Sequence, residues 1–426
     1  MTTTAHHKIL IVFLAVFSLS LALSKTAVNV VMTLTYLTLL ILIVRYQEYR
    51  RSILSNVNQP LVVPLLAYLA VAVIGITYTE RIADGIGIAN KVAGLLLVYF
   101  MTSVVIDTVR STDEREKLTD TLLLIFIGGI VILDVIGLLT YVGIVGNRRF
   151  MLPVMPLNVR HIWSANLNAV GIYAAASFFL AGKAQLSQRK RKFLIVFIVM
   201  AILSILLSIA RTAWLGMFTT GIVLTYLYTP KKRIFFSTLA ASIAGCILLY
   251  HFIPFVHDRM NTIYTDIVVY SASGGDAYSS LGDRFVMWKA SLKMFLTNPV
   301  FGIGTGDYVA TINEYISTGL LPARMSEYNQ PHNMYLFSLA TNGLLGLGAL
   351  LFIFYRILTT TRAVHIVSQE QRQLYFIATA VAIHYLVAGM TDSLFNIFIL
   401  RLSFAFIMGI CIRTLSVHAA EKRITS

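Results

Sequence analysis

Apolar positions in this chain gather into long runs rather than alternating, and each run is near the ~20 residues that a helix needs to cross a bilayer core. Runs fall at 9–23, 28–44, 60–78, 86–106, 118–145 and 164–181. Two more meet in a tight turn around Ile209-Ala210-Arg211-Thr212-Ala213-Trp214. The rest fall at 234–253, from just after His332 to near Arg356, and at 375–390 and 395–412. The pattern predicts an all-α polytopic membrane protein of about twelve spans. It divides the chain into a bundle of nine spans over 1–253, a large polar segment over 254–330, and three spans with a basic tail over 331–426. The first run could pass for a signal peptide, but the second follows almost at once, which favours a retained helix.

Within the polar segment, Arg284, Trp288, Ser291 and Phe295 recur at helical spacing, and Leu281, Trp288, Leu292 and Phe295 form an apolar stripe. Asn298-Pro299 ends that helix. Two readings are open for it. One is an amphipathic helix lying at the membrane interface with Trp288 as its anchor. The other is a packing helix that closes over the bundle. Gly302-Ile-Gly304-Thr-Gly306 is a poor nucleotide loop, because no strand precedes it. A tight turn, or a close approach of backbone to ligand, fits it better.

Composition sharpens the class. The chain has 426 residues, 57% hydrophobic and 12% charged, with mean hydropathy +0.77. A soluble domain carries about 25% charged residues. The net charge of +15 could suggest nucleic acid, but its distribution gives a simpler source. Basic clusters follow the second, fourth, sixth, eighth and tenth runs, which all fall on one side of the membrane. The positive-inside rule makes that side the cytoplasm. Both termini are then inside, and 146–163 and 254–330 are outside. Cys246 and Cys411 sit in apolar runs and suggest neither a disulfide framework nor a zinc site.

Against that bias, Arg148, Arg149, Arg160, Arg211, Arg284 and Arg324 fall on the outer side or at its membrane edge. An ionisable group at membrane depth is costly and usually faces a cavity or a partner. Contact with lipid headgroups is the alternative, and it suits Arg148 and Arg149 best. Guanidinium groups hold phosphate oxygens bidentately and keep their charge, so clustered arginines suggest a phosphate or pyrophosphate ligand. His332 stands at the mouth of the tenth span and offers a base near neutral pH or a structural hydrogen bond. Asn333 can cap the helix that follows. His161 and Asp392 fall on the same face by parity, and Asp392 could pair with an arginine or orient His332. Asp134, inside the fifth run, reads as a packing or cavity carboxylate. The sequence has no Asp-x-Asp pair for a metal-bound nucleotide sugar and no His/Cys cluster with metal spacing.

Arg284…Trp288…Asn298-Pro299…Gly302-Ile-Gly304…Gly306…Tyr308, followed by His332-Asn333…Gly343-Leu-Leu-Gly346, resembles the core signature of the bacterial O-antigen ligase and O-antigen polymerase superfamily. Ala210-Arg211-Thr212-Ala213-Trp214 is similar to its upstream arginine motif. The motifs lie in the second half of the chain. The resemblance implies a many-helix lipid-linked glycosyltransferase fold of the GT-C-like type, with a helical periplasmic loop between spans nine and ten. It implies transfer of a glycan from undecaprenyl pyrophosphate in the periplasmic leaflet of the inner membrane, with inversion and without metal, nucleotide or other cofactor. For a ligase the acceptor is lipid A-core oligosaccharide. On this likeness Arg211, Arg284 and Arg160 hold the pyrophosphate and His332 is the base. Asp392, Trp288, Asn333 and His161 support them. The compact outer loop and the absence of a large C-terminal domain favour ligase over protein O-oligosaccharyltransferase, and the polymerase is harder to separate. A lipid or glycan transporter is the competing class. It calls for polar groups at the bilayer midplane and repeated halves, whereas the polar residues here collect at one face.

Overall fold

A computed structural model of the chain describes residues 5–109, 111–144, 161–181, 186–229, 231–273, 278–363, 366 and 368–425. Among these residues the fold is all helical, without strands. The first half contains α1 (Ala5–Leu23), α2 (Lys25–Arg45), α3 (Gln47–Val57), α4 (Val62–Ile76), α5 (Ile82–Asp107), α6 (Thr112–Tyr141), α7 (His161–Leu180) and α8 (Gln188–Leu207). The second contains α9 (Arg211–Tyr228), α10 (Lys232–Phe252), α11 (Pro254–Ala272), α12 (Ser280–Thr297), α13 (Tyr308–Ser317), α14 (Met334–Ala363), α15 (Gln369–Ala388) and α16 (Phe398–Thr425).

Each of the twelve apolar runs coincides with a helix. Among the described residues seven helices are long and apolar enough to cross a membrane: α1, α2, α5, α6, α10, α14 and α16. An eighth arises if α3 and α4, bent by 74°, are counted as one span. Length and composition thus support a multi-pass membrane protein, with five of the twelve runs below that threshold as single helices. The basic stretch after the second run is not only a loop, because Gln47–Val57 folds as α3.

One continuous apolar core joins α1–α9 and α14–α16. A second, smaller core lies under α12, where Val286, Met287, Ala290 and Met294 pack with Tyr308, Ile312 and Phe337. This corrects the expected stripe. The buried face of α12 is Val286/Met287/Ala290/Met294, whereas Leu292 is exposed. The helix closes over the bundle, and of the two readings its buried face fits the packing one.

The glycine segment between α12 and α13 is knitted into the bundle at both ends. Helix α14 breaks at Gly343, where φ is 61°, a conformation open chiefly to glycine. The break frees backbone groups that must find partners in an apolar interior. Ile303 N donates to Ala340 O (2.9 Å) and Gly304 N to Thr341 O (3.1 Å). Leu344 N donates to Pro299 O (2.8 Å) and Leu345 N to Val300 O (3.3 Å). At the other end, Asp307 accepts from Thr79 Oγ1 (2.6 Å), Arg81 N (2.9 Å) and Glu80 N (3.1 Å). The loop is therefore a tight turn that staples α14 to the α4–α5 connection, and its glycines approach protein backbone rather than a ligand.

Candidate active site

The tight turn before α9, the two ends of α14 and α15, and helix α12 meet at one end of the bundle. Arg211 is the first residue of α9, reached through Ile209 at φ 54°. A β-branched residue seldom adopts that conformation, and the surroundings hold it there. Trp214 Nε1 donates to Ile205 O (3.0 Å) across the turn. Arg211 Nη2 lies 3.3 Å from Ser280 Oγ, at the start of α12. Thr391 donates to Thr212 Oγ1 (3.1 Å), which ties the end of α15 to the first turn of α9.

His332 is the only other non-glycine residue with positive φ among those described, at 50°. Strain of this kind persists where neighbours over-determine the backbone, and here they do. On one side Trp288 Nε1 donates to Pro331 O (2.9 Å). On the other, Asn333 Oδ1 accepts from Tyr335 N (3.0 Å) and Leu336 N (3.1 Å), the expected cap of α14. Met334 N donates to Gly389 O (2.9 Å), which fixes α14 against α15. Trp288 thus gives its indole N–H to the histidine loop.

The His332 side chain is a quarter exposed, and its Nδ1 lies 3.2 Å from Oδ1 of Asp392, which is buried. Asp392 Oδ1 also accepts from Ser393 N (2.7 Å). A carboxylate accepts and does not donate, so Nδ1 is the nitrogen that turns a hydrogen toward Asp392. Asp392 also acts electrostatically on Arg284. Burial pushes the Arg284 guanidinium below its ordinary value, and the Asp392 carboxylate opposes that shift.

A third arginine belongs to this group and was not singled out from sequence. Arg259, on α11, interacts electrostatically with both Arg211 and Arg284. Burial lowers its affinity for its proton, and Asp266 opposes the change. Its Nε is buried without a hydrogen-bond partner. The carboxylate of Asp266 also accepts from Leu281 N (3.3 Å). Three guanidinium groups therefore converge where two carboxylates, Asp266 and Asp392, act on them. Arg324, by contrast, is a structural cation. It donates to Asp283 Oδ1 (2.9 Å), whose other oxygen accepts from Tyr328 (2.9 Å). Burial, with that bond and charge, pushes the Tyr328 hydroxyl up to about 12.

Arg211 and Arg284 line an apolar cavity of about 1110 Å³. Its walls come from α8, α9, α10, α11 and the start of α12, including Leu215, Phe218, Ile222 and Ile247, and Thr391 also lines it. Helix α10 has no buried residue, so the far wall stands off the core. Of the residues expected from sequence, the structure brings Arg211, Arg284, His332, Asp392, Trp288 and Asn333 together. Arg160, like Arg148 and Arg149, lies outside the described residues. His161 opens α7 and is half-buried. Asp134 lies elsewhere, accepting from Asn168 Nδ2 and Ser204 Oγ at 3.0 Å each, a helix-packing role.

A protein of Haemophilus influenzae described as uncharacterized is 29% identical over 161 residues, covering 37% of this chain and 40% of that relative. The chain thus spans well under half of the curated relative that it matches. Residues 195–353 match the family model described as O-Antigen ligase. That segment runs from α8 to the middle of α14 and contains Arg211, Arg259, Arg284, Trp288 and His332. The match places residues 195–353, and the site residues they carry, in the O-antigen ligase/polymerase superfamily.

Proposed function

We propose that this protein is an O-antigen ligase. It transfers a glycan from undecaprenyl pyrophosphate to lipid A-core oligosaccharide at the periplasmic face of the inner membrane, with inversion and without metal. The observation that carries this reading is the apolar cavity that ends at Arg211 and Arg284, with the His332–Asp392 pair beside it. Such a cavity takes a polyprenyl chain, and the arginines at its rim take the pyrophosphate. Arg259 adds a third cation to that grip.

In the transfer, the acceptor hydroxyl oxygen attacks C1 of the donor sugar, and the bond from C1 to the phosphate oxygen breaks on the opposite face. Undecaprenyl pyrophosphate leaves, and negative charge grows on its oxygens. Fixed guanidinium groups stabilise that developing charge more than they help ground-state binding. Nε2 of His332 takes the hydroxyl proton. Asp392 holds the ring in that tautomer and stabilises the imidazolium that forms.

The test uses purified wild type and His332→Ala in detergent, with undecaprenyl-pyrophosphate glycan, lipid A-core and EDTA, and no nucleotide. The expected result is a gel shift of lipid A-core by wild type that is lost in the variant. Lengthening of the lipid-linked glycan with lipid A-core untouched would make the protein a polymerase. Neither change, together with lipid or glycan crossing sealed vesicles, would make it a transporter.

A further inference from the structure

A second group of cations lies beside the turn that follows Asp392 and plays no part in the scheme above. Lys91 on α5 is half-buried and lines a narrow space of about 20 Å³ with Tyr68, Thr341, Asn342 and Asn396. It feels the charge of Arg401, in the first turn of α16. Arg401 is 6% exposed. Its Nη1 donates to Phe395 O (3.2 Å), but its Nε is buried with no partner. The Arg401 guanidinium lies 5.6 Å from the centre of the Phe398 ring, and Nζ of Lys25 lies 5.8 Å from the same centre. Among the described residues no carboxylate pairs with Lys25, Lys91 or Arg401.

These cations border the site through one short turn. Asp392 holds His332 at its start. Asn396 ends it, where Nδ2 donates to Gln330 Oε1 (3.2 Å), two residues before His332. Phe395 and Asn396 also wall the space that Lys91 lines. Arg401 is buried and Lys91 half-buried, and such cations without a counter-ion at a membrane edge are costly, their usual resolution being an anionic ligand. The pyrophosphate already has the arginines at the opposite end of this turn. The space beside Lys91 admits about one water-sized group, which is the size of a single phosphoryl oxygen.

We propose that Lys91, Arg401 and Lys25 bind a phosphate group of the acceptor lipid. This orients the acceptor so that its hydroxyl meets His332. The inference rests on the transferase reading, and it makes this flank of His332 the acceptor side.

The test measures binding and transfer separately, with the full chain in nanodiscs. Lipid A-core is supplied with its phosphates or after enzymatic dephosphorylation. Wild type is expected to bind the phosphorylated acceptor about ten-fold more tightly, the worth of one charge-assisted hydrogen bond. Lys91→Met should bind the two acceptors equally, and Lys91→Arg should restore the difference. Lys25→Met, at an exposed position, gives the same readout if Arg401 variants fail to fold. Equal binding of both acceptors by wild type, or a preference that survives in Lys91→Met and Lys25→Met, overturns the proposal. A preference that follows phosphatidylglycerol against phosphatidylcholine in the disc, and not the acceptor, overturns it in favour of a bilayer headgroup. If phosphate-dependent binding holds but no transfer to lipid A-core occurs, the site stands and the ligase reading falls.

Discussion

At the scale of single residues, the proposed chemistry rests on a histidine held in a strained conformation. His332 at φ 50° is clamped by Trp288 through Pro331 and by the Asn333 cap, so its ring points at Asp392. Loss of the base in His332→Ala should lower kcat by about 10²–10⁴-fold. Asp392→Asn can present an N–H to Nδ1 and so favour the wrong tautomer, with a loss in the same range. Because the two act as one unit, the double variant should be no worse than the poorer single one. A multiplicative loss in a double-mutant cycle would separate their roles. Arg284→Lys keeps the charge but loses the planar fork, and its kcat/KM for the donor should fall by about 10–100-fold. Unchanged kinetics would remove Arg284 from the pyrophosphate grip. His332, Asn333, Arg211 and Arg284 were legible in the sequence because they break an apolar or charge pattern. Arg259 was not, because α11 reads as one more part of a long polar segment. The pairing of Arg324 with Asp283 was also hidden, since the two are 41 positions apart and only the fold joins them.

At the scale of elements, the helix positions were written in the runs of apolar residues, and Asn298-Pro299 ended α12 as expected. The register of α12 was not. Its sequence carries two apolar faces, and only the packing of α13 and α14 decides that Val286, Met287, Ala290 and Met294 are the buried one. The glycine loop shows the same limit. Its glycines advertise a tight approach but not to what, because the partner of Asp307 lies 228 positions away at Thr79. Asp307 holds the loop on the α4–α5 connection, remote in sequence from the histidine. Asp307→Ala leaves three donors without their acceptor and should cost about 1–3 kcal/mol of stability, read as a lower Tm in detergent. Gly343→Ala should be worse, since a Cβ there would sit 2.4 Å from Val300 O in a positive-φ conformation. An unshifted Tm in both would mean that the staple carries no stability.

At the scale of the whole molecule, the two proposals divide the work between the two ends of the turn that starts at Asp392. The apolar cavity with Arg211 and Arg284 is assigned to the donor, and the cations around Arg401 to the acceptor. The cavity makes the donor-chain assignment testable without touching any charged residue. Gly221 lines it from α9, and a Cβ built there meets nothing within 4 Å. Gly221→Phe should therefore fold, since a side chain replaces a glycine that weakens a helix interior by about 1 kcal/mol relative to alanine. The ring would project into the space assigned to the polyprenyl chain. KM for the undecaprenyl donor should rise several-fold or more. A donor truncated to a few prenyl units, which reaches the arginines without filling the cavity, should be turned over as by wild type. Equal sensitivity of long and short donors would mean a disturbed α9 and Arg211. Indifference to the substitution would mean that the chain runs elsewhere, and the cavity would then be a gap between lipid-facing helices with no part in donor binding.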